Sequence, residues 1–270
     1  MTNIPSAQRH DTSTSLGDFA TTSTVQVEDL TQFERDGFLV ARGFFNPTET
    51  AQIVRWTEEV VAMPEMPGRH MVYYEDSLTT PGLRLIQRIE NFCPYHPKLD
   101  QLIRKGTLAY WAENLLGGPV VLFKEKINFK FSGASGFKAH QDQQAGWSKY
   151  APLFLTALMT IDPATVENGC LELAAGRHRQ GLIGEEWRPL DDDSLGLVPV
   201  PTEPGDVIFF DSFVPHASKP NFTSKPRRIL YLTYNRAEYG DQRERYFADK
   251  RKDFPPDIER DGSKAYVFRV

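Results

Sequence analysis

The sequence predicts a mainly β protein in which a helical layer packs against a double-stranded β-helix, or jelly roll. Apolar residues recur at helical spacing in the first half of the chain, whereas from Val120 onward the spacing changes to two. Seven or eight short apolar runs follow, separated by Gly, Pro and Asp. Helices followed by many short strands are typical of a helical layer on a double-sheet jelly roll.

The first half of the chain supplies the expected helices. After residue 27 a short helix is predicted, which Gly37 ends, and then a strand that ends near Phe45. Asn46 is suited to cap a second helix, with Pro47 at its first position. Two short strands and a third helix are expected next, at Met71–Tyr74, Leu83–Ile89 and Lys98–Leu116.

Composition limits the class of protein. Residues 1–26 contain few large apolar side chains, so we expect a mobile N-terminal tail before one domain at residues 27–270. The formal net charge of −5 offers no general attraction to nucleic acid or to an anionic membrane. The two cysteines, Cys93 and Cys170, indicate a cytoplasmic protein with two small buried thiols rather than a disulfide framework. The oligomeric state is left open.

Three residues of the second half could share one metal ion. His140 and Asp142 are separated by one residue, so on an extended strand their side chains point to the same face. His216 follows 76 residues later, where a jelly roll could bring the chain back to the same end. Two imidazoles and one carboxylate are the ligands of non-haem Fe(II) oxygenases. A zinc hydrolase and a metal-binding protein without catalysis use similar ligands, and both stay open.

The motifs around these residues carry a family resemblance. They are KINFK, the His-Gln-Asp triplet, ENGCLELAAGRHR, PGDVIFFD, and a His followed eleven positions later by an Arg before YLTYN. From about Phe33 to Asn235 the chain resembles the phytanoyl-CoA dioxygenase-like family of Fe(II)- and 2-oxoglutarate-dependent oxygenases. The resemblance implies a cupin-like jelly roll that uses Fe(II), 2-oxoglutarate as co-substrate and O2. Because Asp142 is present where related halogenases have a small residue, it implies hydroxylation.

The resemblance also implies roles for single residues. The implied iron ligands are His140, Asp142 and His216. Arg227 would clamp the distal carboxylate of 2-oxoglutarate, a group that a guanidinium binds through two parallel hydrogen bonds. Arg228 is the alternative clamp, because adjacent strand residues face opposite sides, and the family's offset of eleven from His216 favours Arg227. The other implied 2-oxoglutarate contacts are Asn128 and Thr156. His178 is expected to be structural.

The sequence restricts the identity of the substrate less than it restricts the metal and co-substrate sites. The residues expected nearest to it are Lys124, Lys126, Gln144 and Trp147. Lys124 and Lys126 share the parity of Asn128 and would give the pocket positive charge, although lysines more often face solvent. A cationic group could be held by the ring of Trp147 or Tyr150, or by Glu125 if the strand bends. The segment HQDQQAGW resembles the branch of the family that hydroxylates 2-aminoethylphosphonate.

Other small-molecule substrates stay open beside an aminoalkylphosphonate. The same chemistry could act on an amino-acid derivative, an ectoine-like compound or a natural-product scaffold. Residues 68–82 are a candidate lid over the pocket, whose role the sequence leaves open.

Overall fold

Two antiparallel β-sheets form the centre of the protein, and the computed structural model describes residues 24–266. The strands are β1 (Phe38–Ala41), β2 (Met71–Asp76), β3 (Arg84–Glu90), β4 (Val120–Lys130), β5 (Phe137–His140), β6 (Leu155–Thr160), β7 (Leu171–Leu173), β8 (Val198–Val200), β9 (Val207–Asp211), β10 (His216–Ser218) and β11 (Arg227–Arg236). The larger sheet has the order β1-β9-β6-β11-β4-β3-β2, and the smaller sheet has the order β5-β10-β7-β8. With eight strands from Val120 onward, the predicted jelly roll is confirmed.

Four helices cover the outer face of the larger sheet. They are α1 (Val27–Asp36), α2 (Pro47–Val61), α3 (Pro97–Arg104) and α4 (Thr107–Leu116). A fifth helix, α5 (Arg243–Asp253), packs against β4, and its Tyr246 and Phe247 belong to a separate apolar cluster with Trp147. As predicted, Gly37 ends α1 in the left-handed conformation, and the Asn46 side chain accepts hydrogen bonds from two backbone N–H groups of α2. Between residues 24 and 266 we find no helix with the length and apolar character needed to cross a bilayer. Most of the predicted tail at 1–26 lies outside the described residues.

Alternation along the strands divides the apolar residues between two cores. On β6, Met159 packs toward the helical layer in the same cluster as Trp111 of α4. Its neighbour Leu158 points the other way and packs with Leu171 of the smaller sheet. Thr156 has the parity of Leu158, so the strand pattern itself directs this hydroxyl into the space between the two sheets.

Two predicted boundaries were wrong. The single helix expected at Lys98–Leu116 is two helices, because Lys105 is extended and Gly106 has a φ of +90°. The first strand ends at Ala41 rather than near Phe45, because the Gly43 N–H donates to the Asp206 carboxylate, 2.8 Å away, where the chain turns.

A buried ion pair joins α5 to the larger sheet. Glu125 of β4 is fully buried and accepts hydrogen bonds from Arg243 of α5, the shortest 2.6 Å long, and from the backbone N–H of Cys93 at 2.9 Å. The interpretation that Glu125 could hold a cationic substrate group is therefore wrong. Its carboxylate is committed to Arg243.

We expect Glu125→Gln to lower the free energy of unfolding by about 3–5 kcal/mol, because it leaves the buried Arg243 guanidinium without a counter-charge. Glu238→Gln is the matched control, since it removes a half-exposed partner of Arg236 and should cost less than about 1 kcal/mol. Urea unfolding followed by circular dichroism measures both variants. If both variants lost the same small amount of unfolding free energy, the structural role assigned to the Glu125–Arg243 pair would be contradicted.

Candidate active site

The structure brings the three predicted metal ligands together. His140 ends β5, His216 begins β10, and these two residues are paired opposite each other in the smaller sheet. One potential ligand atom from each of His140, Asp142 and His216 lies within 4.8 Å of the others, and the two imidazole centroids are 4.3 Å apart. Asp142 begins a short 3-10 turn, and the extended Gln141 before it keeps both side chains on one face. The geometry suits a single metal ion bound by three residues.

Hydrogen bonds and burial prepare these side chains for a metal. Nδ1 of His140 lies 2.7 Å from the carbonyl of Lys138, and Nδ1 of His216 lies 3.0 Å from that of Val214. Each Nδ1 therefore donates to a carbonyl, which leaves Nε2 with its lone pair free for a metal. Burial lowers the pKa of His140 to about 3 and also lowers that of His216, which favours the neutral imidazole that can bind a metal.

Asp142 is held as a carboxylate. Burial opposes its ionisation, but His216 and the nearby lysines outweigh burial and keep its pKa below the usual value. Its Oδ2 also accepts a hydrogen bond of 3.2 Å from the hydroxyl of Thr156, which in turn contacts the hydroxyl of Thr233 at 3.0 Å. The structure thus places Thr156, a predicted 2-oxoglutarate contact, directly against the metal-binding carboxylate.

The two adjacent arginines of β11 have different surroundings. Arg228 binds the Asp162 carboxylate through two hydrogen bonds of 2.8 and 2.9 Å. Arg227 is buried, and within residues 24–266 its Nε and one terminal nitrogen have no hydrogen-bond partner. The buried Oδ1 of Asn128 is likewise unpartnered there. Buried, unsatisfied donors of a guanidinium are what a carboxylate ligand such as 2-oxoglutarate would satisfy.

Lys130 lies beside Arg227 and was not predicted from the sequence. It lies opposite Arg227 in the pairing of β4 with β11, and its Nζ donates to the Ser218 hydroxyl at 2.8 Å. Burial, together with Arg227, lowers the pKa of Lys130 to about 6. The parity that singles out Lys124, Lys126 and Asn128 continues to Lys130, so the signal was present in the sequence.

A cavity of about 440 Å³ opens beside the metal ligands. His140, Asp142, Lys124 and Lys126 all line it. The Nζ of Lys124 lies 4.3 Å from the ring centroid of Trp147, and that of Lys126 lies 4.7 Å from the ring of Tyr231. Neither lysine forms a salt bridge with any residue from 24 to 266, so both amino groups lie in the cavity without a contacting carboxylate.

Of the other two residues predicted near the substrate, Trp147 and Gln144, only Trp147 lines the cavity. Trp147 lines the cavity, with Lys124 above its ring. The buried Gln144 does not line it, because its side-chain amide donates to the carbonyls of Glu185 and Arg188 and accepts from the N–H of Gln141. Gln144 therefore anchors a neighbouring loop.

A second charged group lies in the cavity wall and was not predicted from the sequence. Glu90 of β3 accepts hydrogen bonds from Arg88 at 2.7 Å and from Lys250 of α5 at 2.6 Å, and all three residues line the cavity. Although burial opposes its ionisation, Lys250 and Arg88 hold the pKa of Glu90 well below the usual value. This cluster therefore neutralises its own carboxylate.

The candidate lid at 68–82 does not border the cavity. In the described part of the chain, the lining residues come instead from β3–β5, the turns after Asp142, a loop around Trp187, α5 and the segment that follows α5. Residues 71–76 form β2, at the edge of the larger sheet, where they pair with β3. The outer wall of the cavity is therefore formed by α5, Phe254, Tyr266 and Trp187.

The sequence pattern of phytanoyl-CoA dioxygenase (PhyH) matches residues 33–229. The chain belongs to the phytanoyl-CoA dioxygenase family. It is 37% identical over 253 residues to the 2-aminoethylphosphonate dioxygenase of the uncultured bacterium HF130_AEPn_1, covering 88% of this chain and 92% of that relative. It is 36% identical over 252 residues to the methylphosphonate hydroxylase of Gimesia maris, covering 92% and 95% of the two chains.

A solved structure supports the same fold and cofactors. The crystal structure of EctD from S. alaskensis with 2-oxoglutarate and 5-hydroxyectoine superimposes with a TM-score of 0.66 at 26% identity, covering 80% of this chain and 77% of EctD. The protein is an Fe(II)- and 2-oxoglutarate-dependent dioxygenase that uses O2. The alternatives of a zinc hydrolase and of a metal-binding protein without catalysis are therefore set aside.

Proposed function

We propose that this dioxygenase hydroxylates a small phosphonate at the carbon bonded to phosphorus and releases succinate and CO2. The observation that carries the proposal is the pair of amino groups of Lys124 and Lys126, which line the same cavity as His140 and Asp142 and have no contacting carboxylate between residues 24 and 266. A phosphonate dianion would supply the two missing negative charges. The names of the two phosphonate-acting relatives support the same substrate class.

The charge state of the lysines fits an anionic substrate. Burial and the positive charge of the neighbouring Lys124 together lower the pKa of Lys126 to about 7. Burial likewise lowers the pKa of Lys124. A bound dianion would favour the protonated form of both side chains, so substrate binding would restore charges that the empty cavity disfavours.

Different residues of the chain would bind the iron, the co-substrate and the substrate. His140, Asp142 and His216 would hold Fe(II) through two imidazole nitrogens and one carboxylate. Bound iron, 2-oxoglutarate and O2 together supply the oxidant: one oxygen atom enters the C–H bond as hydroxyl, and the other enters succinate as CO2 leaves. Arg227 and Asn128 would orient 2-oxoglutarate, and Lys124 and Lys126 would orient the phosphonate.

Succinate formation across a substrate panel tests the proposal. We expect the protein with Fe(II), 2-oxoglutarate and O2 to form succinate in proportion to added 2-aminoethylphosphonate or methylphosphonate. Ectoine, betaines and amino acids should give only the background rate, because their single carboxylate cannot satisfy both lysines. Stimulation by one of these compounds, and by no phosphonate, would assign the enzyme to a different substrate class.

Lys126→Met is expected to weaken phosphonate binding by about 10- to 100-fold, the loss that follows from one charge-assisted hydrogen bond in a buried site. The affinity of the native protein should also fall as pH rises above about 7, because Lys126 then loses its proton, and the variant should lack this dependence. Calorimetric titration of the anaerobic protein with phosphonate measures both effects. Lys138→Met, which alters an exposed lysine nearby, serves as the control. An unchanged affinity in Lys126→Met would refute the role of this lysine.

A further inference from the structure

The aromatic rings of the cavity are almost all covered by cations of the protein itself. Each of six rings has the cationic group of a lysine or arginine within 6.0 Å of its centroid. These rings, with the cation and its distance, are Phe137 (Lys126, 5.9 Å), Trp147 (Lys124, 4.3 Å), Tyr150 (Lys149, 4.9 Å), Tyr246 (Lys124, 5.5 Å), Phe254 (Arg260, 5.0 Å) and Tyr266 (Arg260, 5.8 Å). Trp187 also lines the cavity, and residues 24–266 place no cation over its ring.

Covered rings are poor partners for a cationic ligand group. The attraction between a cation and an aromatic ring comes from the negative electrostatic potential of the ring face. A lysine or arginine already near that face repels a second positive charge. The interpretation that Trp147 or Tyr150 holds a cationic part of the substrate is therefore disfavoured, and Trp187 is the ring left available.

Trp187 is held at the cavity at a conformational cost. Its φ is +63°, a left-handed conformation that bulky side chains rarely adopt, and its side chain remains 45% exposed. Its ring packs on Gly146, where a Cβ atom would stand 2.8 Å from the indole Cζ2. A strained and exposed tryptophan adds little to the core, and strain of this kind persists where the surroundings impose it and a function uses it.

The segment that supplies the metal-binding aspartate also fixes the Trp187 loop. The Gln141 amide donates to the carbonyl of Gly181 at 2.8 Å, and Gln144 donates to the carbonyls of Glu185 and Arg188, both at 2.8 Å. The backbone N–H of Trp187 donates in turn to the carbonyl of Gln144 at 2.9 Å. Gln141 and Gln144 flank Asp142, so the indole ring has a fixed position relative to the metal ligands.

The carboxylates of the cavity wall are mostly neutralised. Glu90 binds Arg88 and Lys250, and Asp249 binds Lys149 and the hydroxyl of Tyr150. Asp253, at the end of α5, forms no salt bridge with a residue of the described region, but its side chain is exposed. An exposed carboxylate gains little from one ion pair because water screens the interaction.

We propose that Trp187 receives the cationic end of the substrate, so that the preferred substrate is an aminoalkylphosphonate rather than an alkylphosphonate. This inference rests on the proposed phosphonate hydroxylation. Lys124 and Lys126 bind the anionic head, and the face of Trp187 binds the ammonium group at the other end. Trp187 is a specificity-determining residue in this account, since it discriminates between substrates that share the same phosphonate group.

The test compares two ligands that differ in charge but hardly in shape. 2-Aminoethylphosphonate and propylphosphonate are titrated by calorimetry into the anaerobic protein loaded with Fe(II) and 2-oxoglutarate. The proteins are native, Trp187→Leu, Trp187→Phe and Asp253→Asn. We expect Trp187→Leu to raise the Kd of 2-aminoethylphosphonate about five-fold, to change that of propylphosphonate less than about two-fold, and Trp187→Phe to recover part of the loss. Asp253→Asn should leave both affinities within about two-fold of native.

Other binding results would show whether the Trp187 inference, the proposed phosphonate function or both are wrong. Equal losses for both ligands in Trp187→Leu would mean that the ring makes an apolar contact only, which overturns the inference. A selective loss in Asp253→Asn with none in Trp187→Leu would assign the ammonium to the carboxylate and would also overturn it. Native protein that binds propylphosphonate as tightly as 2-aminoethylphosphonate would overturn the inference while leaving the proposed phosphonate function intact. Native protein that binds neither compound would overturn both.

Discussion

Replacing His216 with alanine is expected to lower iron-dependent turnover by at least about 100-fold. His216 is one of three ligands whose donor atoms lie within 4.8 Å of one another, and loss of even an outer hydrogen-bond partner of a metal ligand costs about 10- to 100-fold in metal affinity or activity. Anaerobic titration with Fe(II) in the presence of 2-oxoglutarate, followed by visible absorption, measures the binding directly. The same variant should form no substrate-dependent succinate.

His178→Ala is the matched control for His216→Ala. His178 is a half-buried histidine whose ring contacts the backbone at Gly37, away from the metal ligands, and it is not part of the metal-binding group. We expect this variant to keep its iron affinity while losing some stability. Iron binding that survives in His216→Ala at native strength would show that the metal is held elsewhere.

Replacing Arg227 with alanine is expected to raise the 2-oxoglutarate concentration needed for half-maximal rate by about 100-fold or more. The buried guanidinium has unsatisfied donors, and removing one partner of a buried charged pair costs about 2–5 kcal/mol. Arg227→Lys should fall between native and Arg227→Ala, because an ammonium keeps the charge but loses the fork. Direct titration with 2-oxoglutarate separates binding from turnover.

Arg228→Ala is the matched control for the co-substrate site. Its guanidinium already binds Asp162, and it faces the opposite side of β11. We expect a near-native requirement for 2-oxoglutarate and a modest loss of stability. A large rise in the 2-oxoglutarate requirement of Arg228→Ala, with no rise in that of Arg227→Ala, would show that Arg228 binds the co-substrate.

Much of the fold could be predicted because its local signals agree with its tertiary structure. Asn46 followed by Pro47 marks the start of α2, and the change of period at Val120 marks the start of β4. The break at Gly106 was missed because apolar residues recur at helical spacing on both sides of it, although Ile103 and Leu108 are five residues apart. The last helix, α5, was missed because it is rich in charged residues and lacks a clear apolar stripe, so its buried contacts arise only from tertiary packing.

Some residues of the candidate site could also be predicted from the sequence, and others could not. The convergence of His140, Asp142 and His216 could be predicted because residue type and spacing both restrict it. The 2-oxoglutarate role of Arg227 comes from the family's offset of eleven and stays a prediction. The contribution of Lys250 could not be predicted, since it depends on how α5 docks. The role of Trp187 depends on a positive φ and on the side chains of Gln141 and Gln144, none of which leaves a sequence pattern.

Phosphorus NMR of the reaction products tests the central claim most directly. When the protein is supplied with Fe(II), 2-oxoglutarate, O2 and 2-aminoethylphosphonate, we predict a new phosphonate signal from a product hydroxylated at the carbon bonded to phosphorus. One such molecule should form for each succinate released, and none should form with His216→Ala. Succinate released without any change in the phosphonate signal, or an unchanged signal with no succinate at all, would contradict the account.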